Sequence, residues 1–271
     1  MSLTGKLTKL KREILNYHSC VLAFSGGVDS TFLLKAASQV LPKNRLLAVT
    51  ALSETYPQEE LVLARKIARS IGVAHKVIRT HELSDRNFSR NPIQRCYYCK
   101  KELFTKLRAI ARRQRFHTVA DASTISDRSD FRPGTKAKIE LKVRSPLQEA
   151  GFSKEEIRRA SKQLRLSTWN KPSLACLASR IPYGTRISAG LLSKVNNAER
   201  YLKENGFSEV RVRDYNGLCR IEVPQNDIPA FIRKRARIVD RLKRMGYNYV
   251  TLDLQGLRSG SMNEVLKRKR E

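Results

Sequence analysis

The chain has 271 residues, and 54 lysines and arginines against 25 acidic residues give it a formal net charge of +29. Hydrophobic residues make up 41% of the chain, which is enough for the cores of two ordinary domains. No apolar run approaches the length of a membrane span and the first residues lack the apolar core of a signal peptide, so we expect a cytoplasmic protein with no membrane partner.

Predicted helices alternate with predicted strands over residues 1–165. In order, they are a helix over 4–17, a strand over 21–24, a helix after 27, a strand over 45–50, a helix over 57–70, a strand over 75–80, a helix over 100–113, a strand over 117–120 and a helix over 153–164. Residues 81–98 are expected to be irregular. The alternation predicts an α/β fold, a parallel sheet with helices on both faces, which binds ligands beyond the carboxyl ends of its strands.

The turn after the first strand predicts a phosphate site. Gly26 and Gly27 lack Cβ, so a phosphate can approach the backbone, and the start of the next helix adds N–H groups that face an anion. No Gly-Lys-Ser/Thr follows, which excludes the kinase-type phosphate loop. An ordinary strand-to-helix turn is the simpler alternative.

The segment Ser25-Gly-Gly-Val-Asp-Ser30 resembles the pyrophosphate loop of the ATP pyrophosphatase superfamily, whose members cleave ATP to AMP and pyrophosphate. The resemblance implies that this loop binds the phosphates of ATP, while the end of the second strand is expected near the adenosine. The ATP-binding residues predicted in this way are Ser25, Gly26, Gly27, Asp29, Ser30, Thr31, Ala51 and Ser53.

The pattern changes in the second part of the chain. Residues 166–187 form a predicted junction that carries Cys176 and is rich in proline, serine and arginine. Residues 188–271 predict a small α+β domain. Its elements are a helix over 189–205, strands over 209–213 and 218–223 joined by Asn216-Gly217, a basic helix over 228–245 and a strand over 249–253.

Basic residues concentrate in three runs, Arg108–Arg115, Arg233–Arg244 and Lys267–Arg270. A strong positive field attracts anions, so RNA, a polyanionic small molecule such as ATP, and solvent alone are the alternatives. Surfaces that bind single-stranded RNA interleave aromatic with basic residues, yet only Phe116 borders these runs. RNA binding is therefore open but not favoured.

Several segments together resemble one family of this superfamily, the ATP-dependent sulfur transferases called LarE. They are Ser25–Ser30, Thr55-Tyr-Pro57, Asn91-Pro92, Arg95-Cys-Tyr-Tyr-Cys-Lys100, Phe131-Arg-Pro-Gly134, Ser145-Pro-Leu147, Lys171–Gly184, Val210–Arg213 and Arg220–Val223. The matches cover most of residues 20–223, and the stretch around Cys176 is the most specific.

The resemblance implies a role in making the nickel-pincer nucleotide cofactor of lactate racemase. Members of the family adenylate a carboxylate of pyridinium-3,5-biscarboxylic acid mononucleotide and replace a carboxylate oxygen with sulfur. A carboxylate is a poor electrophile, but transfer of AMP makes its oxygen part of a departing phosphate, so a thiolate or sulfide can attack.

Three residues are the predicted catalytic groups. Cys176 matches the cysteine that takes part in sulfur transfer in the family, and Asp29 is expected to bind Mg²⁺ near the departing pyrophosphate. Arg180, four residues past Cys176, is expected to hold a phosphate or a carboxylate. A surface arginine is the alternative for Arg180.

The small domain supplies the predicted site for the substrate's phosphate. Arg211 and Arg213 alternate on one strand and share a face, where two guanidinium groups suit the phosphate of a mononucleotide. An exposed sheet face is the alternative. Glu199 and Glu222 are metal ligands by family analogy, and solvated positions explain them equally well.

The cysteines decide the sulfur chemistry. Some family members have only the cysteine that matches Cys176 and sacrifice its sulfur, whereas others hold a 4Fe–4S cluster with three cysteines. Cys96, Cys99 and Cys176 resemble the second type, and zinc or redox-active thiols are the alternatives. Cys20 and Cys219 are expected to be buried structural thiols.

One segment departs from the family's pattern. Ala122, Thr124 and Ser126 stand where the family has a glycine, an asparagine and an acidic residue, and the net charge is higher than expected. Two other functions therefore stay open, a tRNA thiolase with the same loop and cluster, and a non-enzymatic ATP-sensing protein that binds nucleic acid. The resemblance also implies a homo-oligomer and a sulfide donor, which the sequence does not name.

Overall fold

The computed structural model describes residues 1–127, 133–172, 175–258 and 260–267. Phe131 and Arg132 of the Phe131–Gly134 motif, and most of the basic run Lys267–Arg270, lie outside the described residues. The strands are β1 Cys20–Ala23, β2 Leu46–Leu52, β3 Ala74–Arg79, β4 Thr118–Ala120, β5 Arg211–Tyr215, β6 Leu218–Glu222 and β7 Tyr249–Leu252.

The helices follow in chain order. They are α1 Leu3–Leu15, α2 Val28–Ser38, α3 Gln58–Ile71, α4 Arg86–Ser89, α5 Arg95–Arg113, α6 Gly134–Glu140, α7 Pro146–Glu149, α8 Lys154–Gln163, α9 Ala189–Glu204, α10 Ile228–Arg233, α11 Arg235–Arg244 and α12 Glu264–Lys267. None of the helices in the described ranges is both long and apolar enough to cross a membrane.

The described chain forms two compact units. The first contains Met1–Phe88 and Ile93–Leu174, and the second contains Ser89–Pro92 and Ala175–Glu271. The short segment Ser89–Pro92 joins the second unit through hydrogen bonds, because the Asn91 side chain donates to the carbonyl oxygens of Ile181 and Pro182 at 3.2 and 2.7 Å. The Asn91-Pro92 motif is thus anchored to the segment that follows Cys176.

The first unit is built on a four-stranded parallel sheet in the order β3-β2-β1-β4. Alternate side chains of its central strands enter two different cores. Leu22 and Ala48 pack with α2 and α3, whereas Val21 and Leu47 pack with α5 and α6 on the opposite face. The prediction of a parallel sheet with helices on both faces is therefore confirmed.

Two helix ends in the first unit follow simple capping rules. Gly72 ends α3 in the left-handed conformation, with φ 80°. Ser153 and Glu156 form a capping box at the start of α8, and Lys6 of α1 reaches it, with its Nζ 2.7 Å from Glu156 Oε1 and 2.6 Å from the carbonyl oxygen of Gly151. This ion pair fastens α1 to α8.

Helix α5 begins earlier than the sequence predicts. Residues 95–98 were expected to be irregular, but they form its first turn. No side chain caps this end, so the sequence carries no start signal. Tyr97 stabilises the turn instead, since its hydroxyl donates to Glu140 Oε2 at 2.8 Å and accepts from Lys101 Nζ at 3.1 Å.

The second unit contains a three-stranded sheet in the order β5-β6-β7. The hairpin at Asn216-Gly217 is confirmed, since both residues have positive φ, 53° and 93°. The single helix predicted over 228–245 is wrong. It is interrupted at Lys234, and with this break Phe231 packs on Phe207 while α11 fills the same core. The small α+β domain is as predicted.

Candidate active site

The serine-glycine turn (residues 25–27) lies between β1 and α2. The N-cap residue of α2, Gly27, has no side chain to cap the helix start, where backbone N–H groups can face an anion. The Ser30 hydroxyl lies 3.1 Å from Ser25 Oγ and donates to the Gly27 carbonyl oxygen at 3.2 Å. Both hydroxyls therefore line the turn.

Gly26 fixes the path of this turn against α3. Its φ is 67°, and a Cβ there would lie 3.1 Å from both Cα and Cβ of Ala64. The left-handed conformation and the contact with the helix backbone both require glycine at this position. The turn is thus pressed directly onto α3.

Two side chains from outside the turn hold its carbonyl groups. The Tyr56 hydroxyl donates to the carbonyl oxygen of Ser25 at 2.8 Å, and Lys171 Nζ donates to that of Gly26 at 3.2 Å. Lys171 also forms an ion pair with Glu60 of α3, at 2.5 Å. Sequence reasoning placed Tyr56 and Lys171 in family motifs but assigned them no role.

A buried carboxylate organises the end of β2. Glu82 is 3% exposed, and its Oε1 accepts hydrogen bonds from Ser53 Oγ at 2.6 Å and Thr55 Oγ1 at 2.8 Å. Its Oε2 has no hydrogen-bond partner within the described ranges. Ser53, predicted to lie near the adenosine together with Ala51, is therefore held by a residue that the sequence analysis missed. The sequence signal for Glu82 was its position as an acidic residue shortly after the third strand.

Polar residues also gather after β4. Asp121 accepts from the hydroxyls of Ser145 at 2.6 Å and Ser123 at 2.7 Å, and Lys138 Nζ donates to Ser145 Oγ at 2.9 Å. The carboxyl ends of β1, β2 and β4 therefore all carry polar groups, as expected of the ligand-binding edge of a parallel sheet. Asp29 lies in the first turn of α2 and is partly buried.

In the second unit, Arg180 supports the turn that carries Cys176. Its Nε and Nη2 donate to Glu199 at 2.7 and 3.0 Å, and its Nη1 donates to the carbonyl oxygens of Ala175 and Cys176 at 2.8 and 3.3 Å. Burial alone would lower the pKa of Arg180, but the charge of Glu199 outweighs it and raises that pKa. Cys176 itself is exposed.

A second buried pair lies on the sheet of this unit. Arg213, 2% exposed, donates to both oxygens of Glu222, at 3.1 and 2.8 Å, and to the carbonyl oxygen of Ser179 at 2.7 Å. Glu222 is also fully buried, and hydrogen bonds from Arg213 overcome the effect of burial and lower its pKa. Glu199 and Glu222 are therefore buried ion-pair partners, and the alternative of solvated positions is wrong.

Arg211 differs from its two arginine neighbours. It is partly buried, and its Nη1 donates to the carbonyl oxygen of Arg258, at 3.0 Å, rather than to a carboxylate. Burial lowers the pKa of Arg211, and the positive charges of Arg213 and Arg180 lower it further. An anion bound here would relieve that cost, so the charge balance favours an anionic ligand at Arg211.

Cys96 and Cys99 lie three residues apart on the first turns of α5, which places them on one helix face. Cys96 is exposed and Cys99 is partly buried. Cys20 and Cys219 are buried as expected, and burial raises the pKa of both thiols to about 12. Within either described unit, no three His, Cys, Asp or Glu side chains are grouped to hold a metal ion.

Comparison with known proteins decides the family. Residues 6–120 match the family model of NAD synthase. A pyridinium-3,5-bisthiocarboxylic acid mononucleotide synthase of Lactiplantibacillus plantarum is 38% identical over 265 residues, which are 98% of this chain and 96% of that protein. The chain belongs to the LarE family.

Two further relatives match over nearly the same length. An uncharacterized protein of Synechocystis sp. is 41% identical over 97% of this chain and 99% of its own length. An uncharacterized protein of Methanocaldococcus jannaschii is 28% identical over 94% of this chain and 98% of its own. As a LarE-family protein built on the ATP pyrophosphatase fold, the chain is an ATP-using sulfur transferase.

The LarE match covers both units. It therefore includes the serine-glycine turn and the arginine cluster, which consists of Arg180, Arg211 and Arg213. The individual predicted site residues remain predictions. The structure brings Ser25, Gly26, Gly27 and Ser30 together around one turn, and groups Arg180, Arg211 and Arg213 in the second unit.

Proposed function

We propose that this chain adenylates a carboxylate of pyridinium-3,5-biscarboxylic acid mononucleotide and then inserts sulfur, in the biosynthesis of the nickel-pincer nucleotide cofactor. The near full-length similarity to the Lactiplantibacillus plantarum synthase carries this proposal. The turn at residues 25–27 and the arginine cluster give the two steps their chemical groups.

In the first step, a carboxylate oxygen of the substrate attacks the α-phosphorus of ATP. The bond between that phosphorus and the bridging oxygen breaks, and pyrophosphate leaves with the electron pair. The N–H groups at the start of α2 and the hydroxyls of Ser25 and Ser30 are positioned to bind the phosphates. Asp29, in the first turn of α2, would hold Mg²⁺, which neutralises the charge that develops on the leaving group.

In the second step, a sulfide attacks the carbonyl carbon of the mixed anhydride. The bond from that carbon to the phosphate oxygen breaks, AMP leaves with this oxygen, and a thiocarboxylate remains. Arg180 holds the carbonyl groups of Ala175 and Cys176, so it positions the exposed thiol of Cys176. This contact favours a positioning role for Arg180 over direct binding of a phosphate.

The thiols fit an iron–sulfur cluster in chemical type. Cys96 and Cys99 share a helix face, Cys96 and Cys176 are exposed, and all three donors are soft sulfur atoms. We propose that these three cysteines hold a 4Fe–4S cluster. Such a cluster would supply sulfide, received from an external donor, to the activated carboxylate. Sacrifice of the Cys176 sulfur is the alternative.

Arg211 is the better of the two predicted phosphate ligands. Arg213 is fully occupied by Glu222, Ser179 and Ser261, whereas burial and the positive charges of Arg213 and Arg180 lower the pKa of Arg211. We propose that the substrate's phosphate binds Arg211, and that Arg213 holds the surrounding residues in place.

The test is a reaction with anaerobically purified protein, ATP, Mg²⁺ and the carboxylated mononucleotide. We expect AMP and pyrophosphate in equal amounts, a thiocarboxylate product by mass spectrometry, and iron and acid-labile sulfide in the protein. Omission of the mononucleotide should stop pyrophosphate release. Activity on bulk tRNA in its place, with binding that survives high salt, would instead indicate a tRNA thiolase, because nonspecific phosphate contacts weaken steeply with salt.

A further inference from the structure

The serine-glycine turn is held on its carbonyl side by residues remote in sequence. Tyr56 lies 31 positions from Ser25, and Lys171 lies 145 positions from Gly26. Both side chains are partly buried, although the hydrogen bond of Tyr56 itself is exposed to solvent. The Lys171 side chain is 13% exposed, and burial, together with the charge of Glu60, raises the pKa of Tyr56, so its hydroxyl keeps the proton that it donates.

Hydrogen bonds to these two carbonyl oxygens orient the next two N–H groups. In a trans peptide the C=O and N–H bonds lie in one plane and point in opposite directions. Tyr56 holds the Ser25 oxygen and thereby sets the direction of the Gly26 N–H. Lys171 holds the Gly26 oxygen and sets that of the Gly27 N–H.

External support matters here because the two glycines have little conformational preference of their own. The Gly27 N–H has only a long hydrogen bond, 3.4 Å, to Ser25 Oγ. Among the described residues, the Gly26 N–H donates to no protein acceptor. Donors fixed in advance bind a developing charge without reorganisation, and this preorganisation is a main source of electrostatic catalysis.

We propose that Tyr56 and Lys171 are positioning residues that aim the Gly26 and Gly27 N–H groups at the pyrophosphate part of ATP. This inference rests on the proposed function of the turn as the site of ATP cleavage. Glu60 takes part by fixing the Lys171 ammonium group in place.

The experiment is direct calorimetric binding of ATP, pyrophosphate and AMP to the full chain, without the sulfur acceptor. In Lys171→Met, we expect affinity for ATP and pyrophosphate to fall about 10-fold or more, as for the loss of one hydrogen bond involving a charged group. Affinity for AMP should change less than about threefold, because AMP lacks the phosphates that these N–H groups bind. Lys171→Arg should restore most of the affinity for pyrophosphate.

Lys6→Met is a matched control. Lys6 also pairs with a glutamate and donates to a backbone carbonyl, and its side chain is 15% exposed against 13% for Lys171. We expect the two variants to lose similar thermal stability, while Lys6→Met binds pyrophosphate like the unmodified chain. A purely structural role for Lys171 would make the two variants alike in both measurements.

Tyr56→Phe tests the same idea with an isosteric change that leaves charge untouched. We expect weaker pyrophosphate binding with unchanged AMP binding. The inference is wrong if neither Tyr56→Phe nor Lys171→Met weakens pyrophosphate binding more than AMP binding. If Lys171→Met fails to fold, the result for Tyr56→Phe decides alone. If the unmodified chain binds neither ATP nor pyrophosphate, the proposed ATP site itself fails.

Discussion

Substitution of Gly26 by alanine is expected to destabilise the first unit by about 2 kcal/mol. An alanine in the left-handed conformation costs about 1 kcal/mol. The new Cβ would also lie 3.1 Å from Cα and Cβ of Ala64, whose helix backbone is buried. Overpacking of this kind costs about 1–2 kcal/mol, and reduced freedom of the unfolded chain returns about 0.5 kcal/mol.

Gly72→Ala isolates the steric part of this cost. Gly72 has φ 80°, close to the 67° of Gly26, but a Cβ there meets nothing within 4 Å. The cost of the left-handed conformation and the effect on the unfolded chain are therefore the same in both variants. Their free energies of unfolding should differ by about 1–2 kcal/mol, or roughly 4 °C in melting temperature. Urea unfolding of both variants measures it. Equal losses of stability would refute the claim that the turn is pressed onto α3.

Three further outcomes are expected. Cys176→Ala should abolish sulfur transfer, measured by mass spectrometry, and leave AMP formation intact, measured by pyrophosphate release. Loss of AMP formation with ATP still bound would contradict the assignment of Cys176 to the second step. Asp29→Ala should slow pyrophosphate release about 100-fold or more through loss of the metal ion's stabilisation, and a near-normal rate would remove Asp29 from the metal site. Glu222→Gln should lower the melting temperature at neutral pH, because it leaves Arg213 buried without a carboxylate. Since the folded-state pKa of Glu222 lies below its ordinary 4.5, its stabilisation is present above that pH and is lost as the pH falls further. Melting curves from pH 7 to pH 3 should therefore converge for the two proteins, and a constant gap would speak against this pairing.

The sheet and its helices were predictable because local patterns specify them. Apolar runs mark strands buried on both faces, Gly72 marks the end of α3, and Asn216-Gly217 marks a hairpin. Each of these signals lies within a few residues of the structure that it specifies. Helix α5 escaped prediction at its start because Tyr97 stabilises its first turn through Glu140, 43 positions away.

The candidate site was harder to predict from the sequence, because its supporting contacts join residues that are far apart along the chain. The turn could be recognised from six consecutive residues, but the groups that hold it come from distant positions. The sequence pattern put Arg211 and Arg213 on one face, yet gave no sign that Arg213 is already paired with Glu222. Which arginine is left without a carboxylate partner depends on burial and on neighbouring charges, and both are set only when the chain folds.

The lysine that holds the Gly26 carbonyl group and the cysteine assigned to sulfur transfer are separated by only four intervening residues. One short stretch therefore carries residues that we propose for both half-reactions. We expect insertions or deletions between positions 171 and 176 to be selected against more strongly than in other connecting segments, because a change in length would shift either the lysine or the thiol.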